Sequence, residues 1–234
     1  IIAPAWVDTS MGQSNPLVNG SNTLTVSLST NIALTLSSKV TLSGLLNSTT
    51  PSTAELPVTH LSGVPVFGST ADWNDNGTLI LNVSNVPSTL ANVSIVFSFV
   101  LSNALEPQSS SPVLVSAALE FAEFPVPIAS ASLSFPHEAL WEVANGTDPL
   151  LCVQPVFVSF GLNQTSHVAT KDNNLTLRLV TNVDLVPGSV VTVSGLTGAH
   201  FDASTVILVT VPGGNSGDQL FAANGAGLGT ASAI

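Results

Sequence analysis

The sequence predicts an all-β protein built from two tandem β-sandwich domains, the second of which is incomplete. Apolar and polar residues alternate with a period of two along most of the chain, most clearly at residues 23–29, 39–45, 78–84, 94–101, 174–180 and 189–196. β-branched residues are abundant in these runs, and Gly, Pro, Asn and Asp separate them. Many short strands at regular spacing are typical of β-sandwiches.

The third observation is an internal repeat. Residues 22–45 and 173–196 align without gaps, and 13 of the 24 aligned positions are identical. The match extends upstream, where Pro4 and Trp6 correspond to Pro155 and Phe157. A match of this density indicates two copies of one β domain. We therefore assign residues 1–14 to an N-terminal segment with its tether, 15–150 to a first domain and 151–234 to a second, truncated domain.

The second copy is shorter than the first in this alignment. Its segment Gly229-Thr230 matches Gly77-Thr78, and the apolar strands expected at residues 94–101 and 112–121 have no counterpart in it. A sandwich without these strands would expose apolar side chains and unpaired backbone groups, both of which are unfavourable in water. We therefore expect a groove in the second domain that an added strand fills.

The N-terminal segment is the candidate for that strand. It is apolar and consists of Ile1, Ile2, Ala3, Pro4, Ala5, Trp6 and Val7, followed by a polar, turn-rich stretch over residues 8–22 that would act as a tether. Two alternatives remain open, insertion into another copy or an ordinary first strand packed on its own domain. Insertion into another copy would be head-to-tail and would propagate into rings or filaments.

A terminal apolar strand together with an incomplete sandwich resembles the subunits of pili that assemble by donor-strand exchange. The dense glycosylation sequons and the Ser/Thr-rich repeats are similar to those of glycosylated extracellular fibril protomers. The most specific residues are the T-N-[IV]-x-L…V-T-[LV]-S-G-L stretches at 30–45 and 181–196. The resemblance implies immunoglobulin-like domains, completion of the second domain by a strand of another protomer, and a structural subunit of a helical fibril. The chain departs from bacterial pilins in its two domains and in its single Cys152, which allows no internal disulfide.

The sequon Asn-x-Ser/Thr indicates a secreted glycoprotein. It occurs at eight positions, about twice the number expected by chance from the composition: Asn19, Asn47, Asn76, Asn82, Asn92, Asn145, Asn163 and Asn174. N-linked glycans would hydrate a chain in which only 7% of the residues are charged. The chain begins without Met and without an apolar leader, so we expect an extracellular mature form whose signal peptide has been removed.

Charge and hydropathy narrow the range of partners. The net charge is −11, and Lys and Arg together number three, too few to neutralise a nucleic-acid backbone or to hold an anionic membrane surface. No apolar run is long enough for a membrane-spanning helix. The partners that we expect are other copies of the same chain, in a head-to-tail homopolymer, with no cofactor apart from the glycans.

Catalytic and metal sites are not expected, and we interpret the chain as not being an enzyme. Residues 214–218 are similar to a serine-protease nucleophile loop, but the four His residues lie in no supporting motif. The segment from Asp72 to Gly77 matches half of a calcium loop, but Val83 stands where the bidentate Glu is needed, which favours a hairpin turn. Glu120 and Glu123 are three residues apart on an expected strand and would not converge.

Two further residues bear on function. Cys152 is expected to be a small buried apolar residue. The alternative function is an adhesin or a carbohydrate-binding module, and Trp73, in an expected turn, is its best candidate for an exposed aromatic side chain.

Overall fold

The computed structural model describes residues 2–62, 65–84, 91–121, 124–186 and 188–198, and the chain divides into two compact units, residues 1–185 and 186–234. The described part is all-β, as the sequence predicts, and contains no helix. Its eleven strands are β1 (Trp6–Gln13), β2 (Ser21–Thr30), β3 (Lys39–Ser43), β4 (Thr53–Ser62), β5 (Thr70–Asn74), β6 (Thr78–Asn82), β7 (Ile95–Ser102), β8 (Leu114–Phe121), β9 (Phe124–Ser132), β10 (Phe157–Gln164) and β11 (Leu175–Thr181).

Nine strands form one antiparallel sheet in the order β1-β2-β7-β4-β5-β6-β3-β8-β9. Strand β4 divides this sheet into two halves, because its first residues pair with β5 and its residues from Val58 onward pair with β7. The two halves contribute to one hydrophobic core, in which Leu24, Val26, Phe97 and Phe99 are almost fully buried. The alternation of apolar residues in β2 and β7 directs one face of each strand into this core.

The two edges of the nine-stranded sheet meet. Ser10 in β1 forms a parallel bridge with Ser134, which lies just after β9. The amide of Met11 donates to the carbonyl oxygen of Ser134 at 3.0 Å. The amide of Ser134 donates to the carbonyl oxygen of Thr9 at 2.9 Å. Strand β1 is therefore hydrogen-bonded on both sides, and residues 8–13, expected to belong to a tether, are strand residues instead.

Five of the six most clearly alternating runs form strands β2, β3, β6, β7 and β11. The sixth prediction is wrong, because residues 189–196 are not a strand. Their counterpart in the first copy, β3, is held between β6 and β8. Residues 189–196 pair with no strand in the described part of the chain, and an extended segment without a ladder partner does not persist as a strand.

The hairpin of β10 and β11 repeats the hairpin of β1 and β2 at an offset of 151 residues. Trp6 pairs with Thr30 and Phe157 with Thr181, and each pairing is followed by a register shift at the same place. The other pairs continue in the same register to the ends of both hairpins. The structure thus confirms the sequence repeat at the level of the hairpin.

A buried amide network fixes the turn end of the first hairpin. The side chain of Asn22 is fully buried, and its Nδ2 donates at 2.8 Å both to Oε1 of Gln13 and to Oδ1 of Asn103. Its Oδ1 accepts the amides of Ser14 and Asn15 at 3.2 Å. Every hydrogen-bonding atom of this side chain therefore has a partner, as burial requires.

Mutation can compare how much this asparagine contributes to the free energy of unfolding in each of the two copies. Asn22→Ala leaves the buried Oδ1 of Asn103 without a donor and removes one of the two hydrogen bonds that Oε1 of Gln13 accepts. It should lower the free energy of unfolding by about 3 kcal/mol. Asn173→Ala, at the equivalent exposed position, should change it by less than about 1 kcal/mol. Urea unfolding followed by tryptophan fluorescence measures both values. Equal effects of the two substitutions would contradict this account of the network.

Candidate assembly interface

The β10–β11 hairpin has two chemically different faces. Directly paired residues of antiparallel strands lie on the same face, and the register therefore assigns every side chain. We call one side the apolar face; it carries Phe160, Leu162, Leu175, Leu177 and Leu179, with Gln164 opposite Leu175 at its end. We call the opposite side the polar face; it consists of Ser159, Gly161, Asn163, Thr176, Arg178 and Val180.

The apolar face is exposed although its counterpart is core. In the first hairpin the equivalents of Leu162, Leu175 and Leu177 are Met11, Leu24 and Val26, each at most 1% exposed. In the second hairpin Phe160 is 76% exposed, Leu162 47%, Leu175 45% and Leu177 39%. The same local structure is therefore packed in one copy and uncovered in the other.

The outer edge of β11 is also unpaired. Strand β2 pairs with β1 on one side and with β7 on the other, from Ser21–Ser102 to Leu28–Ile95. Among the described residues β11 pairs with β10 alone. An exposed edge next to an apolar face is the arrangement onto which another strand can add.

The N-terminal segment lies against its own domain in the single chain. The side chain of Asn31 accepts the amide of Ala5 and donates to the carbonyl oxygen of Ala3, both at 2.8 Å, and its backbone amide donates to the carbonyl oxygen of Ala5 at 3.0 Å. Trp6 and Val7 belong to β1, and Nε1 of Trp6 donates to the carbonyl oxygen of Ala129 at 3.1 Å. Ile2 remains 77% exposed and Val7 57%, whereas Ile1 lies outside the described residues.

The second copy has an equivalent asparagine clamp. Asn182 accepts the amide of Val156 at 2.8 Å and donates to the carbonyl oxygen of Gln154 at 2.9 Å. The segment before each hairpin is thus held by an asparagine that follows the second strand of that hairpin. The sequence match did not reveal this clamp, although Asn31 and Asn182 are among its identical positions.

All eight sequon asparagines are exposed. Asn82 and Asn174, which the sequence places in strand-like runs, point away from the core as a glycan would require. On the second hairpin, Asn163 lies on the polar face, and Asn174 has the same strand parity as Thr176 on that face. Asn47 differs from the other seven because its side chain donates to Oε1 of Gln108 at 2.8 Å.

The residues singled out for binding or metal chemistry are structural where the structure describes them. Trp73 is 2% exposed and its indole donates to the carbonyl oxygen of Thr50, so its assignment as an exposed binding residue is wrong. A tryptophan in a short hairpin points inward when its strand parity places it on the core face. The segment from Asp72 to Gly77 comprises the last residues of β5 and the turn that leads into β6, with Gly77 at φ = 88°. No cluster of metal-binding side chains occurs in the described part of the chain.

The other candidates do not form a catalytic arrangement. His137 Nδ1 lies 2.8 Å from Oδ2 of the buried Asp148, beside a shallow depression, but the nearby hydroxyls of Ser110 and Ser134 donate to backbone carbonyls. Cys152 is buried as expected, and burial raises the pKa of its thiol. Glu120 is exposed, whereas Glu123 and residues 214–218 lie outside the described residues. The described part of the chain contains no helix long and apolar enough to cross a membrane.

Comparisons with known proteins give only distant structural similarity. No family model and no curated protein matches the sequence. An uncharacterized protein from Nocardia farcinica, described as having an immunoglobulin-like fold, superposes with a TM-score of 0.34 at 11% identity over 62% of this chain and 99% of that one. AvmM, described as catalysing macrocyclization in alchivemycin A biosynthesis, gives 0.31 at 8% identity over 58% and 94%. At these TM-scores neither similarity assigns a family or a function to this chain.

Proposed function

We propose that the protein is a secreted, glycosylated structural subunit of an extracellular helical fibril, built from tandem immunoglobulin-like domains. Copies polymerise when the N-terminal segment of one inserts as a strand into the incomplete second domain of another. The observation that carries the proposal is the β10–β11 hairpin, which has the register and hydrogen bonds of a core hairpin while its apolar face is exposed.

The energetics of this hairpin favour a partner. Covering a half-exposed Leu or Phe side chain is worth roughly 1 kcal/mol. Four apolar side chains of this face are exposed to at least that order. An added strand would also satisfy the backbone groups along the free edge of β11. Association has to offset the loss of translational and rotational freedom, and a strand that is covalently part of a folded subunit is already partly ordered.

The N-terminal segment is chemically suited to be the donor. Residues 1–7 contain no charged side chain, and Ile2 and Val7 are exposed in the single chain. Insertion of residues 1–7 requires release of the three hydrogen bonds with Asn31. It also requires Trp6 to leave its pairing with Thr30 and its indole bond to Ala129, and backbone bonds in the new ladder offset these losses. Because donor and acceptor are different parts of one chain, the contact is heterologous and assembly is head-to-tail.

A substitution at the donor tests the proposal. Ile2→Asp should reduce filament mass at least tenfold, because a carboxylate would have to be buried in the acceptor groove. The matched control is Leu105→Asp, at a position that is 62% exposed and lies outside both proposed surfaces. Negative-stain electron microscopy and sedimentation of the polymer measure assembly, and circular dichroism checks that both variants keep their β structure.

Either of two results would contradict the proposal. Wild-type chains that stay dispersed as monomers under all conditions would exclude polymerisation. Filaments of Ile2→Asp as abundant as those of Leu105→Asp would exclude the N-terminal donor.

Glycan mapping tests the secreted state independently. We expect N-linked glycans on the native protein at the exposed sequons, with lowest occupancy at Asn47, whose side-chain amide is already bonded to Gln108. Enzymatic deglycosylation converts each occupied Asn to Asp, and peptide mass mapping detects the change. A native protein without this conversion at any sequon would refute the glycoprotein assignment.

A further inference from the structure

We propose that the acceptor is the outer edge of β11, where a strand of a second copy binds antiparallel in the register that β7 has on β2. The inference rests on the proposed function and specifies its acceptor. It assigns the contact to the apolar face of the β10–β11 hairpin and to no other described surface.

The register follows from the repeat. In the first copy Leu24, Val26 and Leu28 of β2 are paired with Phe99, Phe97 and Ile95 of β7. The equivalents of these three β2 residues are Leu175, Leu177 and Leu179, one on each successive inward position of β11. A strand with apolar residues at alternate positions therefore meets an aliphatic side chain of β11 at each position where β7 meets one of β2.

The amide network marks the end of the β11 edge at which the incoming strand would stop. Asn103, the residue immediately after β7, receives a hydrogen bond from Nδ2 of Asn22. In the second copy Asn173 keeps the bond to Oε1 of Gln164, at 2.9 Å, and accepts the amides of Thr165 and Ser166. No described residue of the second copy takes the place of Asn103. The second hydrogen on Nδ2 of Asn173 therefore has no partner among the described residues. The incoming strand would end beside Asn173.

Three features identify a second copy as the occupant. The sequons at Asn163 and Asn174 lie on the polar face, so glycans there would leave only the apolar face for docking. Each chain has a net charge of −11, and residues 1–7 together with the apolar face have no charged side chain, so this contact avoids the repulsion between copies. The first copy closes its own sheet at Ser10 and Ser134, so its sheet edges are not available as an equivalent acceptor.

Matched substitutions inside and outside the apolar face test the acceptor. Leu177→Lys places a charge on the apolar face, whereas Val158→Lys changes a residue whose first-copy equivalent, Val7, is exposed as well. Both positions are exposed in the single chain, so neither change should affect its folding. We expect Leu177→Lys to reduce filament mass at least tenfold and Val158→Lys to change it less than twofold. If wild-type filaments form and the two variants behave alike, the acceptor assignment is overturned while polymerisation stands.

A photo-cross-linking amino acid at position 177 identifies the occupant directly. Lys39 is the first tryptic site, so a donor segment is recovered as the peptide of residues 1–39. An intermolecular cross-link to this peptide is the expected result. An intermolecular cross-link to another segment supports the acceptor and overturns the N-terminal donor. An intramolecular cross-link overturns the acceptor, because the chain would then cover its own apolar face. Wild-type chains that never polymerise would overturn both proposals.

Discussion

The hydrogen bonds of the Asn22 side-chain amide are the interactions on which the first domain depends. It is fully buried, so each of its donors and acceptors has to be satisfied inside the protein. Its partners come from three different parts of the chain: Gln13 at the end of β1, the amides of the following turn, and Asn103 after β7. Gln13 extends the network, since its Nε2 donates to the carbonyl oxygens of Gly146 and Leu151. A shift of β1, β2 or β7 by one residue would break several of these bonds together.

The second hairpin shows which contacts of the first hairpin form even when the side chains are exposed. Asn173 and Gln164 reproduce the turn contacts, and Asn182 reproduces the clamp of Asn31, although all of these side chains are exposed. The hydrogen bonds within a hairpin are local and follow from the hairpin's own sequence. The burial of Leu175 or Leu177 is not local, because it needs strands that are distant in sequence or belong to another molecule.

The same distinction explains what could be predicted from the sequence. Period-two alternation located β2, β3, β6, β7 and β11, and the repeat gave the register of the second hairpin. The strand expected at 189–196 failed because alternation does not reveal whether a ladder partner is present. Trp73 was misassigned because a short turn next to it suggested exposure, whereas strand parity directs it into the core. The candidate interface needed the structure, since only a comparison of burial between equivalent residues distinguishes the covered hairpin from the uncovered one.

The hydrogen bonding of β1 has a mechanical consequence. This strand is bonded to β2 along its length and to the Ser134 segment on its other side, and the N-terminal residues lead directly into it. A tensile force directed along the axis of β1 would load these ladder bonds in shear, all together, instead of peeling them one after another. Shear requires many bonds to break in one event, so the first domain should resist extension much better than a domain whose terminal strand is peeled from an edge.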